Sequence, residues 1–422
     1  MNNNQPLFTV LIPTRERCDT LAATLRTCVS QDDDNFEIVV SDNFSQDATR
    51  VVIESFHDSR IRHINTGHRV SMTSNWEFGL SHVQHGYVTI IGDDDGLLPG
   101  AIRRMRTLMT TLNWPQAVVW KVSNYGWPNN VDANERNRLN IPLGDSVKRQ
   151  DAAVVLKDVV EFKTLYFFLP YLYSSFVHTD AIAKAKEISD GKFFHSVTPD
   201  VYSGIALACV MDSYYFSSRP YSINAASHHS NGAAQLGDSG HREMNVKYES
   251  ENDLRFHPRL ISAPSVAILT AEAYFQAQQF FERAQLNTLD VQLALQSALK
   301  VSAIQSLSRY ETMLTVVREI AQINHIEEEV KSMIEQTPHQ PKDNRAILGY
   351  NIAFNTLRLD TTPFAVRDVY DACALCHHVL TLKDLGIHTP TNIAKSTLRF
   401  VRKFVQGGGD HFTRSRKLSS RK

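Results

Sequence analysis

The densest chemistry in the sequence is Asp93-Asp94-Asp95, which follows the apolar run Tyr87-Val88-Thr89-Ile90-Ile91 and a single glycine, Gly92. Gly96 and Pro99-Gly100 then force a turn before a helical pattern begins. Carboxylates crowded at the end of a buried strand repel one another unless a cation neutralises them. Hard divalent ions such as Mg²⁺ or Mn²⁺ suit such a place, because they take oxygen ligands, often one or two carboxylates plus substrate phosphates. The chain carries its own control in Asp32-Asp33-Asp34, which follows the polar pair Ser30-Gln31 and precedes the next strand pattern. That triplet is expected to sit solvated in a helix-to-strand loop.

Two further strand ends carry polar chemistry. Asp42 closes Glu37-Ile38-Val39-Val40-Ser41 and is followed by Asn43, Ser45 and Asp47. A carboxylate there either accepts hydrogen bonds from a ribose or base edge, or caps the next helix through an Asx turn. Pro13-Thr14-Arg15-Glu16-Arg17 closes the first strand without any glycine. It is therefore neither the G-x-G-x-x-G dinucleotide turn nor a P-loop, which excludes a conventional NAD enzyme or P-loop kinase.

The elements that hold these residues alternate. Strand patterns fall at 8–12, 36–40, 61–64, 87–91 and 117–122, with helical patterns at 18–29, 47–56, 73–82 and 98–112 between them. Strands separated by helix-length segments predict βαβ units and a mostly parallel sheet, whose ligands bind beyond the carboxyl ends of the strands. Residues 124–149 read as a polar loop region and 222–241 as a Ser/Asn/Gly/His-rich stretch without periodicity. Beyond about residue 263 the patterns are helical, at 265–286, 289–309, 311–336, 345–357 and 363–382.

From Phe8 to about Ser230 the chain resembles a family 2 glycosyltransferase of the GT-A fold. The matching features are Val10-Leu-Ile-Pro-Thr-Arg15, Glu37-Ile-Val-Val-Ser-Asp42-Asn-Phe-Ser-Gln-Asp-Ala-Thr49, Asn65-Thr-Gly67, Asn75-Trp76, and Asp93-Asp94-Asp95 with Pro99-Gly100. The resemblance implies a Rossmann-like α/β domain over 1–240; residue periodicity and charge give an α-helical region over 241–391 and a basic amphipathic helix and tail over 392–422. It implies that Pro13, Thr14 and Arg15 line a nucleotide base pocket, that Asp42 binds the base or ribose, and that Asn75 belongs to the donor site. Asp93 would touch the ribose or a metal-bound water, and Asp94, with Asp95, would hold a Mn²⁺ or Mg²⁺ ion, the alternatives being Asp94 alone or Asp93 with Asp95. Family members often carry an acid one position earlier, where this chain has Gly92. The general base expected about a hundred residues downstream is Asp200, in Thr198-Pro199-Asp200-Val201-Tyr202, with Pro199 in the place of a usual preceding acid; Asp190 is the substitute. In Ser227-His228-His229-Ser230-Asn231, His228 stands where members have a histidine near the pyrophosphate or metal, and His241 is a weaker candidate. The implied reaction is inverting transfer from a nucleotide sugar, UDP- or GDP/dTDP-linked, to a polysaccharide, lipopolysaccharide or lipid-linked acceptor. A nucleotidyltransferase and a non-catalytic carbohydrate-binding relative are the rivals; the first lacks its Gly-rich loop here, and the second draws on Pro199.

The 422 residues include 42% hydrophobic and 21% charged side chains and five cysteines. This is a globular composition, not a disulfide framework, and suits a reducing compartment. Neither a secretory signal nor a membrane-spanning run is apparent, since the apolar stretch 165–177 is broken by Pro170. The expected location is the cytoplasm, with peripheral attachment to the inner face of the membrane. Attachment rests on the tail: residues 392–422 carry nine basic side chains against Asp410, a charge of +8, while the rest of the chain carries −9. Ile393, Leu398, Phe400, Val401, Phe404 and Val405 share one helical arc opposite Lys395, Arg399, Arg402 and Lys403, the pattern of a helix lying on anionic lipid. Nucleic acid is not an expected partner, because the tail lacks aromatic interleaving beyond three phenylalanines. The helical half is expected to shape the acceptor side or a homo-oligomer interface. Cys373-Ala-Leu-Cys376-His377-His378 has no second cysteine pair to complete a zinc site and is expected to pack inside a helix.

Overall fold

The computed structural model describes residues 5–230, 251–341 and 348–385. The tail 392–422, His241 and Asn231 lie outside the described residues.

Strand β1 (Phe8–Thr14) occupies the middle of an eight-stranded sheet and pairs in parallel with β2 (Phe36–Asp42) on one side and β4 (Tyr87–Ile90) on the other. With β3 (Ile61–Asn65) outside β2, the order is β3-β2-β1-β4-β10-β6-β11-β9, where β6 is Ala117–Trp120, β9 Val147–Asp151, β10 Ser175–His178 and β11 Ser213–Ser217. The inner strands β1, β2 and β4 read as apolar runs because helices cover both of their faces, whereas the edge strand β3, Ile61–Asn65, is only partly buried. The alternation along β1 sorts the core: Leu11 joins Val39, Trp76 and Leu80 on one face. Phe8, Val10 and Ile12 join Leu21, Leu25, Ile38 and Val40 on the other. Helix α1 (Cys18–Val29) supplies Leu21 and Leu25, and α3 (Met72–Ser81), capped by the Ser71 hydroxyl, supplies Trp76 and Leu80.

A second sheet, β13-β14-β8-β7-β12-β5, stands beside the first. The polar stretch 124–149, read as loop, holds two of these strands, β7 (Ser123–Gly126) and β8 (Arg138–Pro142), as well as β9. The stretch read as aperiodic opens with β12 (Ser222–Ala226), which pairs antiparallel with the two-residue β5 (Gly96–Leu97). Within the pattern at 345–357, read as helix, the described residues from 348 on instead enter a hairpin, β13 (Gly349–Asn351) and β14 (Thr356–Asp360), and β14 pairs with β8. Pairing with a strand more than two hundred residues earlier decides that conformation, and local periodicity carries no trace of it.

The C-terminal helices fall close to their patterns, at Val266–Gln278, Val291–Ala303, Leu307–Asn324, Glu327–Glu335 and Val369–Asp384. The first packs against α7 (Pro199–Val210) through Ile268, Ala271 and Phe275, which are buried with Ile205 and Ala208 in one core. The last lies over α1 and β5. Its Cys373 and Cys376 are 1% and 0% exposed, with Cys376 Sγ 3.3 Å from Ser123 Oγ, so both pack in the interior.

Candidate active site

The carboxyl ends of β1 and β4 open into a cleft of about 520 Å³. Pro13, Thr14 and Arg15 line it together with Asn75, Asp93, Asp94 and Asp200, so residues separated by almost the whole α/β region meet in one cavity. Asp42, Asp95 and His228 do not line it.

The acidic triplet is buried, its members only 2%, 4% and 1% exposed. Its backbone is fixed from two directions: Thr24 Oγ1 donates to the Asp95 carbonyl at 2.7 Å, and Trp127 Nε1 donates to the Asp94 carbonyl at 3.0 Å. The three side chains then diverge. Asp93 accepts from Thr14 Oγ1 at 2.7 Å and from Arg17 Nη1 at 2.9 Å. Asp94 Oδ2 accepts from the Ser227 backbone N–H at 3.2 Å, from Ser227 Oγ at 2.7 Å, and from Ser230 Oγ. Asp95 turns back into the fold and accepts from the backbone N–H groups of Gly92 and Ala225, each at 2.7 Å, and from the Tyr173 hydroxyl. It staples β12 to the mouth of β4.

Gly92 follows from this crowding. A Cβ there would stand 2.6 Å from the Tyr173 hydroxyl and 2.9 Å from Asp95 Oδ2, so an acidic side chain at this position has no room.

Burial pushes the Asp95 carboxyl up to about 7, with the Asp94 charge adding to it. Burial also raises Asp93, against the pull of the Arg17 guanidinium. Arg17, held high by the charges of Asp93 and Asp94 against its own burial, also donates to the His229 carbonyl at 2.6 Å. The donor set fits a hard divalent ion: Asp93 and Asp94 bring two carboxylates to the cleft, with the Arg17 guanidinium beside Asp93.

Asp42 lies opposite Thr14 in the sheet register, but its carboxylate serves the neighbouring turn. It accepts from the Ser45 N–H at 3.0 Å and Asn65 Nδ2 at 2.8 Å, with His63 Nε2 at 3.4 Å. Burial alone would raise it; these hydrogen bonds hold it below the usual carboxylate range. Asn75 reaches the cleft, and its amide also exchanges hydrogen bonds with Ser41, tying α3 to β2. Arg15 pairs with Glu251 at 2.6 Å across the cleft. His229, rather than His228, faces the cleft; His228 lies against Asn129 at 2.7 Å, and burial lowers its basicity, aided by the His229 ring.

Asp200 sits in the first turn of α7. Thr198 is the N-cap and Pro199 takes the first helical position, where its missing N–H costs nothing. Proline rather than acid before Asp200 is thus a helix-start choice, and Asp200 is not the cap. The Tyr166 hydroxyl donates to Asp200 Oδ2 at 2.9 Å. Burial raises the carboxyl, while Tyr166 and the helix-end N–H groups pull the other way.

Beyond the expected residues, the cleft contains Arg17 and an aromatic wall of Trp76, Tyr166, Phe167, Tyr171 and Tyr173. The sequence signal was present in Tyr166-Phe167-Phe168-Leu169-Pro170-Tyr171-Leu172-Tyr173, whose tyrosines mark a half-wet surface rather than a plain apolar run.

Residues 9–161 match the family model described as glycosyl transferase family 2. Residues 9–161 are therefore a glycosyl transferase family 2 region, and the mixed sheet with its parallel β3-β2-β1-β4 half is the GT-A arrangement. Among curated proteins it is similar to a GalNAc(5)-diNAcBac-PP-undecaprenol beta-1,3-glucosyltransferase of Campylobacter jejuni, 33% identical over 111 residues, covering 26% of this chain and 35% of that protein. It is also similar to validoxylamine A glucosyltransferase of Streptomyces hygroscopicus, 41% identical over 76 residues, covering 17% and 18%. The aligned part thus spans about a third or less of these relatives. Among solved structures, S. aureus TarS 1-349 in complex with UDP-GlcNAc overlays with a TM-score of 0.44 at 12% identity, covering 95% of this chain and 92% of that one.

Proposed function

We propose that this protein is a metal-dependent, inverting glycosyltransferase that moves a sugar from a nucleotide-sugar donor to a hydroxyl of a polysaccharide, lipopolysaccharide or lipid-linked acceptor. The observation that carries the reading is the convergence of Thr14, Asp93, Asp94 and Asp200 on one cleft. Pro13, Thr14 and Arg15 would receive the nucleotide base, and Asp93 with Asp94 would hold a Mn²⁺ or Mg²⁺ ion. When bound, the ion supplies positive charge for the diphosphate as it departs. Arg17, fixed between Asp93 and the His229 carbonyl, adds a permanent positive charge beside the same place. Asp200 takes the proton of the acceptor hydroxyl as its oxygen bonds to the anomeric carbon and the bond to the diphosphate breaks on the opposite face. A buried carboxylate with a raised affinity for protons suits that step.

The two named glucosyltransferases make glucose nucleotides the first donors to try, and the undecaprenol-linked substrate in one name supports a lipid-linked acceptor. We read 1–240 as the catalytic domain, 241–391 as a mainly helical part, with its hairpin β13–β14 joined to β8, that shapes the acceptor side or a homo-oligomer contact, and 392–422 as a tail for the inner membrane surface of a cytoplasmic protein. No helix among the described residues is long and apolar enough to cross a membrane. The central test is thermal unfolding with UDP-, GDP- and dTDP-sugars, with and without Mn²⁺. One of them should raise Tm only with the ion present; a flat panel would remove the assignment. Binding to anionic vesicles should fall with salt and vanish on deletion of 392–422, and equal binding by the truncated chain would end the tail assignment.

A further inference from the structure

We propose that the turn Leu165–Phe168 is the acceptor subsite, and that it takes a pyranose ring whose apolar face stacks on Phe167 while one rim hydroxyl meets Asp200. This rests on the reading of Asp200 as the base. The Tyr166 hydroxyl holds Asp200 at 2.9 Å, so an acceptor whose hydroxyl reaches that carboxylate arrives beside Tyr166, and Phe167, packed on Tyr166, lines the same cleft. The two rings are 4.3 Å apart, and Tyr171 backs both, at 5.6 Å from Tyr166 and 6.2 Å from Phe167. Tyr166 is buried, yet Phe167 keeps 41% of its surface exposed while lining the cleft. An apolar ring braced from behind and presented at a cavity mouth is a stacking platform.

The rest of the cavity fixes the class of occupant. The cavity is also lined by the charged Arg15, Arg17, Asp93 and Asp94, and Thr198 and Asn224 add polar groups. The occupant must show a hydroxyl to Asp200 and a flat apolar patch to Phe167 at once. A pyranose ring does both, with axial C–H bonds on one face and hydroxyls around the rim. A hydrocarbon chain offers no hydroxyl, and an open-chain polyol offers no flat face.

Saturation-transfer NMR on the full chain tests this, with methyl glycosides of glucose, galactose, N-acetylglucosamine and N-acetylgalactosamine as probes and glucitol as the open-chain control. At least one pyranoside should receive saturation strongest on the protons of one ring face, and glucitol none. Phe167→Ala should weaken that binding about tenfold, and Phe167→Trp should preserve it. An unfolding transition matched to wild type shows that each variant is folded. Absence of any pyranoside signal, equal signals from glucitol, or unchanged binding by Phe167→Ala would overturn the subsite. The thermal-shift panel separates the two readings. A donor-dependent shift without pyranoside binding sinks the subsite alone, whereas face-selective binding without any donor shift sinks the transferase reading and leaves a sugar-binding cleft.

Discussion

Two triplets of identical composition have opposite fates in this molecule. Asp32-Asp33-Asp34, expected to be solvated, lies between α1 and β2, but only Asp34 has no ion pair among the described contacts. Asp32 pairs with Arg103, and Asp33 takes a bidentate grip from Arg106, at 2.9 and 3.1 Å, with both side chains about 90% covered. Its charge is matched by the protein itself. Among the described residues, Asp93-Asp94-Asp95 has one guanidinium in ion-pair contact, Arg17, for three buried carboxylates. Charge left partly unmatched beside a cavity is what separates a binding site from a structural clamp, and composition alone cannot tell them apart.

The sharpest way to break the contrast is to neutralise one member of each triplet. Asp94→Asn should lower sugar transfer roughly 10²- to 10³-fold, as expected for losing a preorganised electrostatic contact. Asp33→Asn should leave the rate within about twofold and instead cost about 3 kcal/mol of stability, because it strands a buried guanidinium. Denaturant titration and initial rates on both variants check this; equal catalytic losses would erase the distinction. Asp200→Asn should lower transfer by about 10²-fold or more while preserving the donor-induced rise in Tm.

A smaller effect is expected at Tyr166. Its hydroxyl favours the ionised Asp200, so Tyr166→Phe should raise the base's pKa and move the acidic limb of the pH–rate profile to higher pH. A limb that stays in place would show that Asp200 does not set it. The smallest effect is on stability. Glu272, wholly buried, accepts from Ser196 Oγ and Gln276 Nε2 at 2.5 and 2.8 Å, and burial pushes it up to about 7. Between the ordinary carboxylate range and that value the folded state holds a proton that the unfolded chain has released. Its contribution to stability therefore declines as pH rises through that window and is constant above it. Glu272→Gln should flatten the fall in Tm between about pH 5 and 7. An unaltered slope would assign it elsewhere.

The parallel half of the sheet was legible because β1, β2 and β4 are apolar runs bounded by polar residues and β3 a weaker alternating one, and α1 was placed at its observed limits, Cys18–Val29. The meeting of Pro13–Arg15, Asp93 and Asp94 in one cavity was legible for the same reason: parallel strands deliver their carboxyl ends to a common edge. The inward turn of Asp95 was not, since its partners are N–H groups contributed partly by β12, far along the chain. Nor was the diversion of Asp42 to Asn65 and His63, or the exchange of His228 for His229, because loop geometry rather than residue type decides each. The hairpin at 349–360 was misread because its strand character exists only against β8.

That hairpin also sets an order in time. Strand β8 has β7 on one side, and its other side is completed by β14, with Arg138 meeting Asp360 at 2.7 Å and Arg358 meeting Glu135 at 2.9 Å. During synthesis at about 5–20 residues per second, β8 waits on the order of 10–40 s before its neighbour emerges. Until then a bare edge of backbone donors and acceptors is open to other chains. The segment 9–161 shared with relatives therefore cannot be lifted out as a free-standing module: it contains β8 and lacks the strand that closes it.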